Sequence, residues 1–279
     1  MGDYDDWIGR QFVRTDRITP RMLNEFRIAL AGGLAVAPGP GAVPPGYHWC
    51  LTPEAVAAPD LGRDGHPRPG QFLPALPLPR RMWAGGEIEW LGAFAVDDEV
   101  TKTSIIRSVS FKDGRSGPLG FVAVDHEYSV SGNLVLRERQ DLVYRQDPDP
   151  SAPAPLPPQA ESWQVLAHWE ITPDPVLLFR YSALTFNGHR IHYDAAYARE
   201  VEGYDGLVVH GPLQAVWLQN LATAQLGAIP RRFSYRGLSP LIVGHSVHVE
   251  AREKDGMLYL RVRRLTDDVV TMSARAEAG

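Results

Sequence analysis

The residues best suited to chemistry lie in one segment, 180–218, where polar residues and glycines are densest. Asn187 and His192 stand five positions apart in a stretch that also contains glycine. Histidine titrates near neutral pH and can both accept and release a proton. An asparagine amide does not titrate, but it can hold a water molecule or a carbonyl group in place. This pair therefore has the groups needed to move a proton at a positioned substrate.

A second feature of the segment is Gly211, which opens the run GPLQAVWLQNLATAQLG, the clearest helical pattern in the chain. Its backbone N–H is expected to be an unpaired donor at the helix N-terminus. Together with the helix dipole, such a donor stabilises negative charge that develops on an oxygen. Pro212 suits the first helical turn, and glycine lets a ligand approach the backbone closely.

Each of these residues also has a purely structural interpretation. Loop histidines such as His189 are often only hydrogen-bonded, and a glycine before a helix is common. The spacing of His189 and His192 resembles a pair of metal ligands, but no third ligand follows at a helpful spacing, so we expect no metal. Cys50, the single cysteine, is more often a small buried hydrophobe than a nucleophile. It cannot form an intramolecular disulfide, which is typical of a reducing compartment.

Composition excludes several classes of function. The net charge is −5 with mixed signs, and no block of five like charges appears, so we expect no nucleic acid and no membrane as partner. The acidic N-terminus MGDYDDWIGR lacks the apolar core of a secretory signal, which favours a cytoplasmic location. Neither a GxGxxG motif after a strand nor a Walker A motif is present, and we expect no cofactor.

Hydrophobic periodicity indicates the elements that must position these residues. In the first half, ITPRMLNEFRIAL predicts a helix with Thr19 as a possible cap and Pro20 at its first position. The tract DGRSG between two strand-like runs has the composition of a hairpin turn. The strand-like runs of the first half are 87–96, 101–111, 120–130 and 134–145. In the second half a strand is predicted at 176–184, a short helix at 193–201, the central helix from 211, and strands at 232–238, 241–252, 256–265 and 269–277.

Proline marks the division of the chain. The segment DPDPSAPAPLPP, 147–158, contains six prolines, which predicts an extended linker outside any sheet. It would separate an N-terminal domain, 1–146, from a C-terminal domain, 159–279. A second stretch rich in proline and glycine, 37–79, is too long for a plain loop, and 48–58 is a candidate helix within it. Strands grouped apart from helices indicate an α+β fold.

The motifs FNGHRIH, 186–192, and VVHGPL, 208–213, resemble the MaoC-like hot-dog dehydratases and hydratases. That family carries a small residue, Asp, any residue, Asn, Pro, an aliphatic residue and His, followed by a glycine-led central helix. The longer matches LTFNGHRIHYD and GYDGLVVHGPL are similar to its two-domain branch of acyl-thioester dehydratases, and RRMWAGGEIEWLG, 80–92, resembles the degenerate N-terminal hot-dog of that branch.

The resemblance implies a double hot-dog, in which each half wraps an antiparallel sheet around a helix. The active site would lie between the halves, with chemistry from the second half and an acyl pocket shaped by the first. The wider family has aspartate where this chain has Asn187. The catalytic set would then be His192 as the only titrating residue of the pair, Asn187 orienting water and Gly211 polarising the thioester carbonyl. Asp194 is expected to be a structural cap or a supporting residue.

The resemblance also implies the reaction, reversible hydration of a 2-enoyl thioester, with acyl-CoA as partner and mesaconyl-C4-CoA or itaconyl-CoA as candidates. A second carboxylate or the CoA phosphates would be met by arginine, although a surface salt bridge is an equal alternative for each candidate. The predicted substrate-binding residues are Arg80, Arg81, Trp83, Arg190, His210 and Arg236. Two alternatives stay open, a thioesterase on the same fold and a non-catalytic acyl-binding subunit. A homo-oligomer, a dimer or higher, is expected.

Overall fold

The computed structural model describes residues 4–36, 41–114, 117–148 and 156–279. Within these ranges the strands form one antiparallel sheet in the order β1-β3-β4-β5-β2-β7-β10-β9-β8-β6. The strands are β1 Gln11–Arg17, β2 Arg80–Trp90, β3 Glu99–Gly114, β4 Gly117–Val130, β5 Asn133–Arg145, β6 Ala167–Ile171, β7 Arg232–Gly237, β8 Val247–Lys254, β9 Met257–Arg264 and β10 Val270–Glu277. The α-helices are α1 Pro20–Ala29, α2 Pro175–Thr185, α3 Ala195–Glu200 and α4 Gly211–Leu226.

The two halves of the sheet repeat the same strand order. Reading outward from the centre, β2, β5, β4, β3 and β1 correspond to β7, β10, β9, β8 and β6. This arrangement confirms the predicted α+β double hot-dog, with one difference. The two sheets are continuous, because β2 and β7 pair from Gly85–Arg236 to Glu89–Arg232. The pairing satisfies the backbone groups of two strand edges that would otherwise be exposed. The domain limits, 1–146 and 159–279, stay a prediction.

Helix α4 is the centre of the core. Every residue from Leu213 to Ala222 is buried, so the helix has no solvent face at that level. The first half covers part of it, since Gly33 lies directly against the ring of Trp217 and Gly46 against Val216. The helix ends at Gly227, whose φ of +71° is the left-handed conformation common after a helix C-terminus.

Helix α2 corrects a prediction that concerns the site directly. The run 176–184 was predicted to be a strand, but it is helical, because Asp174 caps the Leu177 N–H at 2.7 Å and Pro175 occupies the first turn. A continuous apolar run does not by itself distinguish a buried strand from a helix. The helix buries Leu178 and Tyr181, three positions apart. It ends at Phe186, which adopts a left-handed φ of 51°.

Other predictions are confirmed with shifted limits or corrected. Helix α1 forms with the Thr19 hydroxyl accepting the Met22 N–H, and α3 and α4 form where expected. The candidate helix at 48–58 is wrong, since only a 3₁₀ turn, Tyr47–Cys50, forms there. The short strands β1 and β6 were missed; they lie at the two outer edges of the sheet.

Residues 149–155 of the predicted linker and 115–116 of the predicted hairpin turn lie outside the described residues. In the ranges that the structure covers, no helix is long and apolar enough to cross a bilayer.

The contact between Gly46 and α4 gives a test of this packing. Gly46 has a φ of +89°, and a Cβ there would lie 2.5 Å from Cγ2 of Val216. Gly46→Ala should lower the free energy of unfolding by about 2–4 kcal/mol, through backbone strain and overpacking together. Gly9→Ala is the matched control, because Gly9 has a φ of +82° with open space around it, and it should cost about 1 kcal/mol. Equal losses in urea unfolding of the two variants would contradict the close approach.

Candidate active site

The loop 186–192 leaves α2 in a fixed conformation. The backbone N–H of Asn187 donates to the carbonyl of Ser182 at 2.9 Å, which completes the end of the helix. The side-chain Oδ1 of Asn187 accepts the backbone N–H of His189 at 2.9 Å. These bonds leave the Asn187 amide N–H₂ without a partner among the residues described, at a position that lines a large cleft between the halves. The asparagine therefore both shapes the loop and presents a donor to the cleft.

His192 is held in one tautomer by the backbone. Its Nδ1 lies 2.7 Å from the carbonyl oxygen of Val208, and a carbonyl can only accept, so Nδ1 carries the proton. In the neutral ring Nε2 is then a lone-pair acceptor, and His192 lines the cleft. Burial lowers the pKa of His192 to about 3, which keeps the imidazole neutral at physiological pH. The residue is therefore arranged as a proton acceptor.

His210 lies behind His192 and does not line the cleft. The two rings stack at 3.5 Å between centroids with an angle of 20°. The Nε2 of His210 is 2.8 Å from the hydroxyl of Ser182, and its ring is fully buried. Burial and the neighbouring His192 hold the pKa of His210 well below its usual range. The structure thus gives His210 a place in support of His192, away from the position expected for a substrate contact.

Gly211 begins α4 beside His210. Its backbone N–H has no acceptor within the described part of the chain, as expected for the first residue of a helix. A Cβ at this position would lie 2.9 Å from Cε3 of Trp83, so only glycine fits against the indole. Both residues line the cleft. The free N–H, the helix dipole and the indole wall together make a place for a carbonyl oxygen that acquires negative charge.

A loop from the first half, 61–68, completes the site and was not predicted. Asp64 Oδ2 and His66 Nδ1 are 2.8 Å apart, and the ring of His66 lies 4.3 Å from that of His189. The loop is docked by the Asp64 carbonyl, which accepts the Arg190 N–H at 2.8 Å. Gly65, with a φ of +85°, lies so close to Gly188 that a Cβ would be 2.1 Å from its carbonyl oxygen. No local sequence signal connects residues 64–66 with 189, since the contact crosses the two halves.

The imidazoles form a row that ends at one carboxylate. The ring centroids of His189 and His192 are 5.4 Å apart, so His66, His189, His192 and His210 follow one another. Burial and neighbouring histidines lower the pKa of His189 to about 2. Burial alone would raise the pKa of Asp64, but its hydrogen bond to His66 and the charge of that ring outweigh burial and hold it well below its usual range. Asp64 is therefore ionised at the end of a row of rings whose own pKa values burial lowers.

The same residues must be considered as a metal site, although none was expected. The ligand atoms of Asp64, His66 and His189 lie within 4.8 Å of one another, a spacing that a divalent cation could occupy. The Asp64–His66 hydrogen bond already satisfies two of these atoms. The positive charge of Arg81 also lies close enough to lower the pKa of both histidines, and it would oppose a second cation. This arrangement favours a hydrogen-bonded pair.

The predicted arginines differ in their surroundings. Arg80 lines the cleft, but its Nε is 2.5 Å from Glu202 and its guanidinium also reaches the hydroxyl of Tyr204 at 3.2 Å. Arg190 is 2.7 Å from Asp194, which also caps α3 as the sequence predicted, and it does not line the cleft. Both guanidinium groups are therefore engaged within the protein.

The remaining predicted contacts divide between the cleft and the surface. Arg81 and Trp83 both line the cleft, which has a volume of about 2300 Å³. That is more than the roughly 300–1000 Å³ of a site for a small ligand. Arg236 is exposed on β7 and lies outside the cleft lining, because its strand position faces away from the core. The structure thus brings together Asn187, His192, Gly211, Arg81 and Trp83.

The depressed histidine pKa values predict a loss of stability in acid. The pKa of His192 is about 3 in the folded protein and about 6.5 in an unfolded chain. Between these values the unfolded state binds more protons, so stability falls as pH falls through this window. Urea unfolding at pH 7.5 and pH 5 should show a loss of about 2 kcal/mol from this residue. In His192→Gln the loss of stability between pH 7.5 and pH 5 should be smaller by about 2 kcal/mol. If the variant and the wild-type protein lose the same stability between these pH values, His192 is not a buried neutral ring.

Comparison with known proteins agrees with this geometry. The family model described as hydroxyacyl-thioester dehydratase type 2 matches residues 46–243. The chain is 39% identical to mesaconyl-C(4)-CoA hydratase of Chloroflexus aurantiacus, over 99% of this chain and 98% of that protein. It is 26% identical to the mitochondrial hydroxyacyl-thioester dehydratase type 2 of Schizosaccharomyces pombe, over 92% and 94%. The crystal structure of HtdX of Mycobacterium tuberculosis superposes with a TM-score of 0.70 at 20% identity, covering 97% of this chain and 100% of that one. With a family model over more than half its length and a relative similar over nearly all of it, this chain belongs to the hydroxyacyl-thioester dehydratase type 2 family of MaoC-like proteins.

Proposed function

We propose that this protein is a hydro-lyase that hydrates a 2-enoyl thioester of CoA and dehydrates the corresponding 3-hydroxyacyl thioester. One observation carries the proposal: the neutral, cleft-facing His192, fixed by Val208, stands beside the free N–H of Gly211. A proton acceptor and an oxyanion donor in one cleft are the two groups that this reaction needs. The hydratase and dehydratase names of the relatives support the same reaction.

In the hydration direction the thioester carbonyl oxygen accepts a hydrogen bond from the Gly211 N–H. Water adds to the β-carbon while Nε2 of His192 removes one of its protons, and the electron pair of the double bond moves to form an enolate. The enolate then takes a proton at the α-carbon, for which protonated His192 is the donor. The free amide N–H₂ of Asn187 holds the water. The protein returns to its starting state, and the reverse steps give dehydration.

The charge of Asp64 supports this step from a distance. When His192 takes the proton, positive charge enters a buried site in which His66 lowers the pKa of His192, and both rings lower the pKa of His189. Asp64 is the ionised carboxylate at the end of that row, and its charge raises the pKa of His189. It therefore stabilises the imidazolium without contacting the substrate, and we regard it as a positioning residue.

The thioesterase alternative is less well supported by the geometry. Thioesterases on this fold usually direct a carboxylate at a water close to the carbonyl carbon. Position 187 carries an amide instead, and the carboxylate of Asp64 is hydrogen-bonded to His66. The carbonyl would also have to be attacked beside the indole of Trp83, which closes one side of Gly211.

The reaction is tested by following the absorbance of the enoyl-thioester bond. The panel is crotonyl-CoA, longer 2-enoyl-CoA esters, mesaconyl-C4-CoA and itaconyl-CoA, with a thiol reagent in parallel. Loss of absorbance without thiol release is expected. Thiol release would establish the thioesterase instead, and tight binding without an absorbance change would establish a non-catalytic subunit.

The role of His192 is tested by His192→Ala. Loss of the proton acceptor should lower kcat by about 10²- to 10⁴-fold while circular dichroism stays native. His168→Ala is the control, since His168 is an exposed histidine on the edge strand β6. A His192→Ala protein with full activity would contradict the mechanism.

The electrostatic role of Asp64 is tested by Asp64→Asn. Loss of this charge removes a through-space attraction on the order of 1–2 kcal/mol at an effective dielectric constant of about 20, so kcat should fall roughly 10-fold with little change in KM. Asp60→Asn, an exposed aspartate four positions earlier, is the control and should be silent. Metal analysis of the purified protein accompanies the kinetics. A stoichiometric divalent cation, lost in Asp64→Asn, would make these residues ligands and overturn the assignment.

A further inference from the structure

The inward face of the first-half sheet carries a row of polar side chains. Ser104 on β3 pairs in register with His126 on β4, and His126 pairs with Glu138 on β5. Two further residues extend the row, Lys102 along β3 and Gln140 along β5, each two positions away and so on the same face. Apolar residues border the row on these strands, namely Val100, Ile106, Val122, Val124, Leu136 and Leu142.

The equivalent face of the second half is entirely different. Its strands β8, β9 and β10 present apolar residues to α4, namely Val247, Val249, Ala251, Leu258, Leu260, Val262, Met272, Ala274 and Ala276. On the first half no helix of comparable length covers the face in the ranges described, and Lys102, Ser104, His126 and Gln140 line the cleft. The polar row is therefore a wall of the ligand space.

Most of the row is hydrogen-bonded within itself. Oε1 of Glu138 accepts from Nε1 of Trp49 at 2.8 Å and from Nε2 of Gln140 at 2.9 Å, and Oε2 accepts from the hydroxyl of Tyr128 at 3.4 Å. The hydroxyl of Ser104 is 2.7 Å from Nδ1 of His126. Glu138 is thus a fully buried acid that already has its partners.

Lys102 is the exception in the row. In the part of the chain described, its ammonium group forms no ion pair with a carboxylate within 4.0 Å, and it lies 5.2 Å from the centroid of the Tyr128 ring. Burial lowers the pKa of Lys102, whereas the charge of Glu138 raises it. A half-buried cation that lines a cleft without an ion-pair partner is costly unless a ligand supplies one. The donor on this wall therefore matches an anionic group.

We propose that Lys102, with Ser104, His126 and Gln140 around it, binds a carboxylate at the far end of the acyl group and so selects dicarboxylic enoyl thioesters. The proposal rests on the hydratase function proposed above. Arginine was the residue expected to meet such a carboxylate, but Arg80 and Arg190 are already paired with Glu202 and Asp194. Arg81 also lines the cleft, where its charge acts on Asp64 and His66. An apolar acyl terminus would form no hydrogen bonds with these polar side chains. It would also displace the water that solvates them, which costs free energy.

Two indoles connect this subsite with the oxyanion position. Trp83 lies against Gly211, and its ring centroid is 5.3 Å from that of Trp49. Trp49 in turn donates to Glu138 in the polar row. An acyl chain whose carbonyl oxygen is at Gly211 can therefore follow the Trp83 and Trp49 rings to the row.

The test compares substrates that differ only in a carboxylate or methyl terminus. The pairs are mesaconyl-C4-CoA with 3-methylcrotonyl-CoA, and 2-hexenedioyl-CoA with 2-hexenoyl-CoA. The wild-type protein should prefer the carboxylated member of at least one pair in kcat/KM. Lys102→Met should lower kcat/KM for that member about 10- to 100-fold, as expected for a charge-assisted hydrogen bond, and leave the methyl member within about threefold.

Two controls accompany Lys102→Met. Lys102→Arg should retain most of the preference, because the cation is kept. Lys112→Met removes an exposed lysine from the same strand and should be silent. An equal loss for both members of a pair, or no loss for either, would overturn the subsite.

A binding measurement separates this proposal from the proposed reaction. Adipoyl-CoA and hexanoyl-CoA are saturated, so neither can be hydrated or release water, and calorimetry gives their Kd values directly. Tighter binding of adipoyl-CoA that is lost in Lys102→Met supports the subsite even if no enoyl thioester is hydrated. Equal Kd values overturn it even if the enzyme hydrates every methyl-ended substrate.

Discussion

The constraint on which the rest of the structure depends is the burial of α4. From Leu213 to Ala222 every residue of the helix is buried, so the helix must be covered on every side. The second half alone wraps only part of it, and segments of the first half close against Val216 and Trp217. The N-terminus of the helix consequently lies where the two halves meet. The free N–H of Gly211 is thus at an interface, which is why residues from both halves reach it.

The same burial determines the chemistry of the histidines. Burial makes a charged His192 ring costly even though its hydrogen bond to the Val208 carbonyl favours the charged form, so the ring is kept as a neutral acceptor. The same hydrogen bond fixes its tautomer. A base of low pKa is thermodynamically weak. It becomes useful only if the proton it receives leaves again at once, as it does when an enolate forms on the adjacent carbon. Proton transfer by His192 thus depends on three features together: its burial, the N–H donor that stabilises the enolate, and a nearby carboxylate.

Part of this site could be predicted from the sequence and part could not. Asn187, His192 and Gly211 lie in one continuous segment, so their order along the chain is enough to suggest a site. Helix α2 was mistaken for a strand because a continuous apolar run carries no decisive period. Asp64 and His66 were missed because their contact with the loop 186–192 joins residues more than 100 positions apart. The sequence likewise shows where an arginine stands along the chain, but not whether it already forms an ion pair with a glutamate such as Glu202.

The comparison of the two halves explains how one fold serves two purposes. Equivalent strand faces carry Val249 and Leu260 in one half and Ser104 and His126 in the other. Where a helix covers the face, apolar residues contribute to stability and leave no room for a ligand. Where no long helix covers it, the face becomes a cleft wall, and the same strand positions are free to carry Lys102 and other polar groups. A polar row in an otherwise apolar sheet weakens the core, so a ligand that it contacts is the best explanation for it. On this argument, a face without a long covering helix is what would allow the first half to select the acyl group.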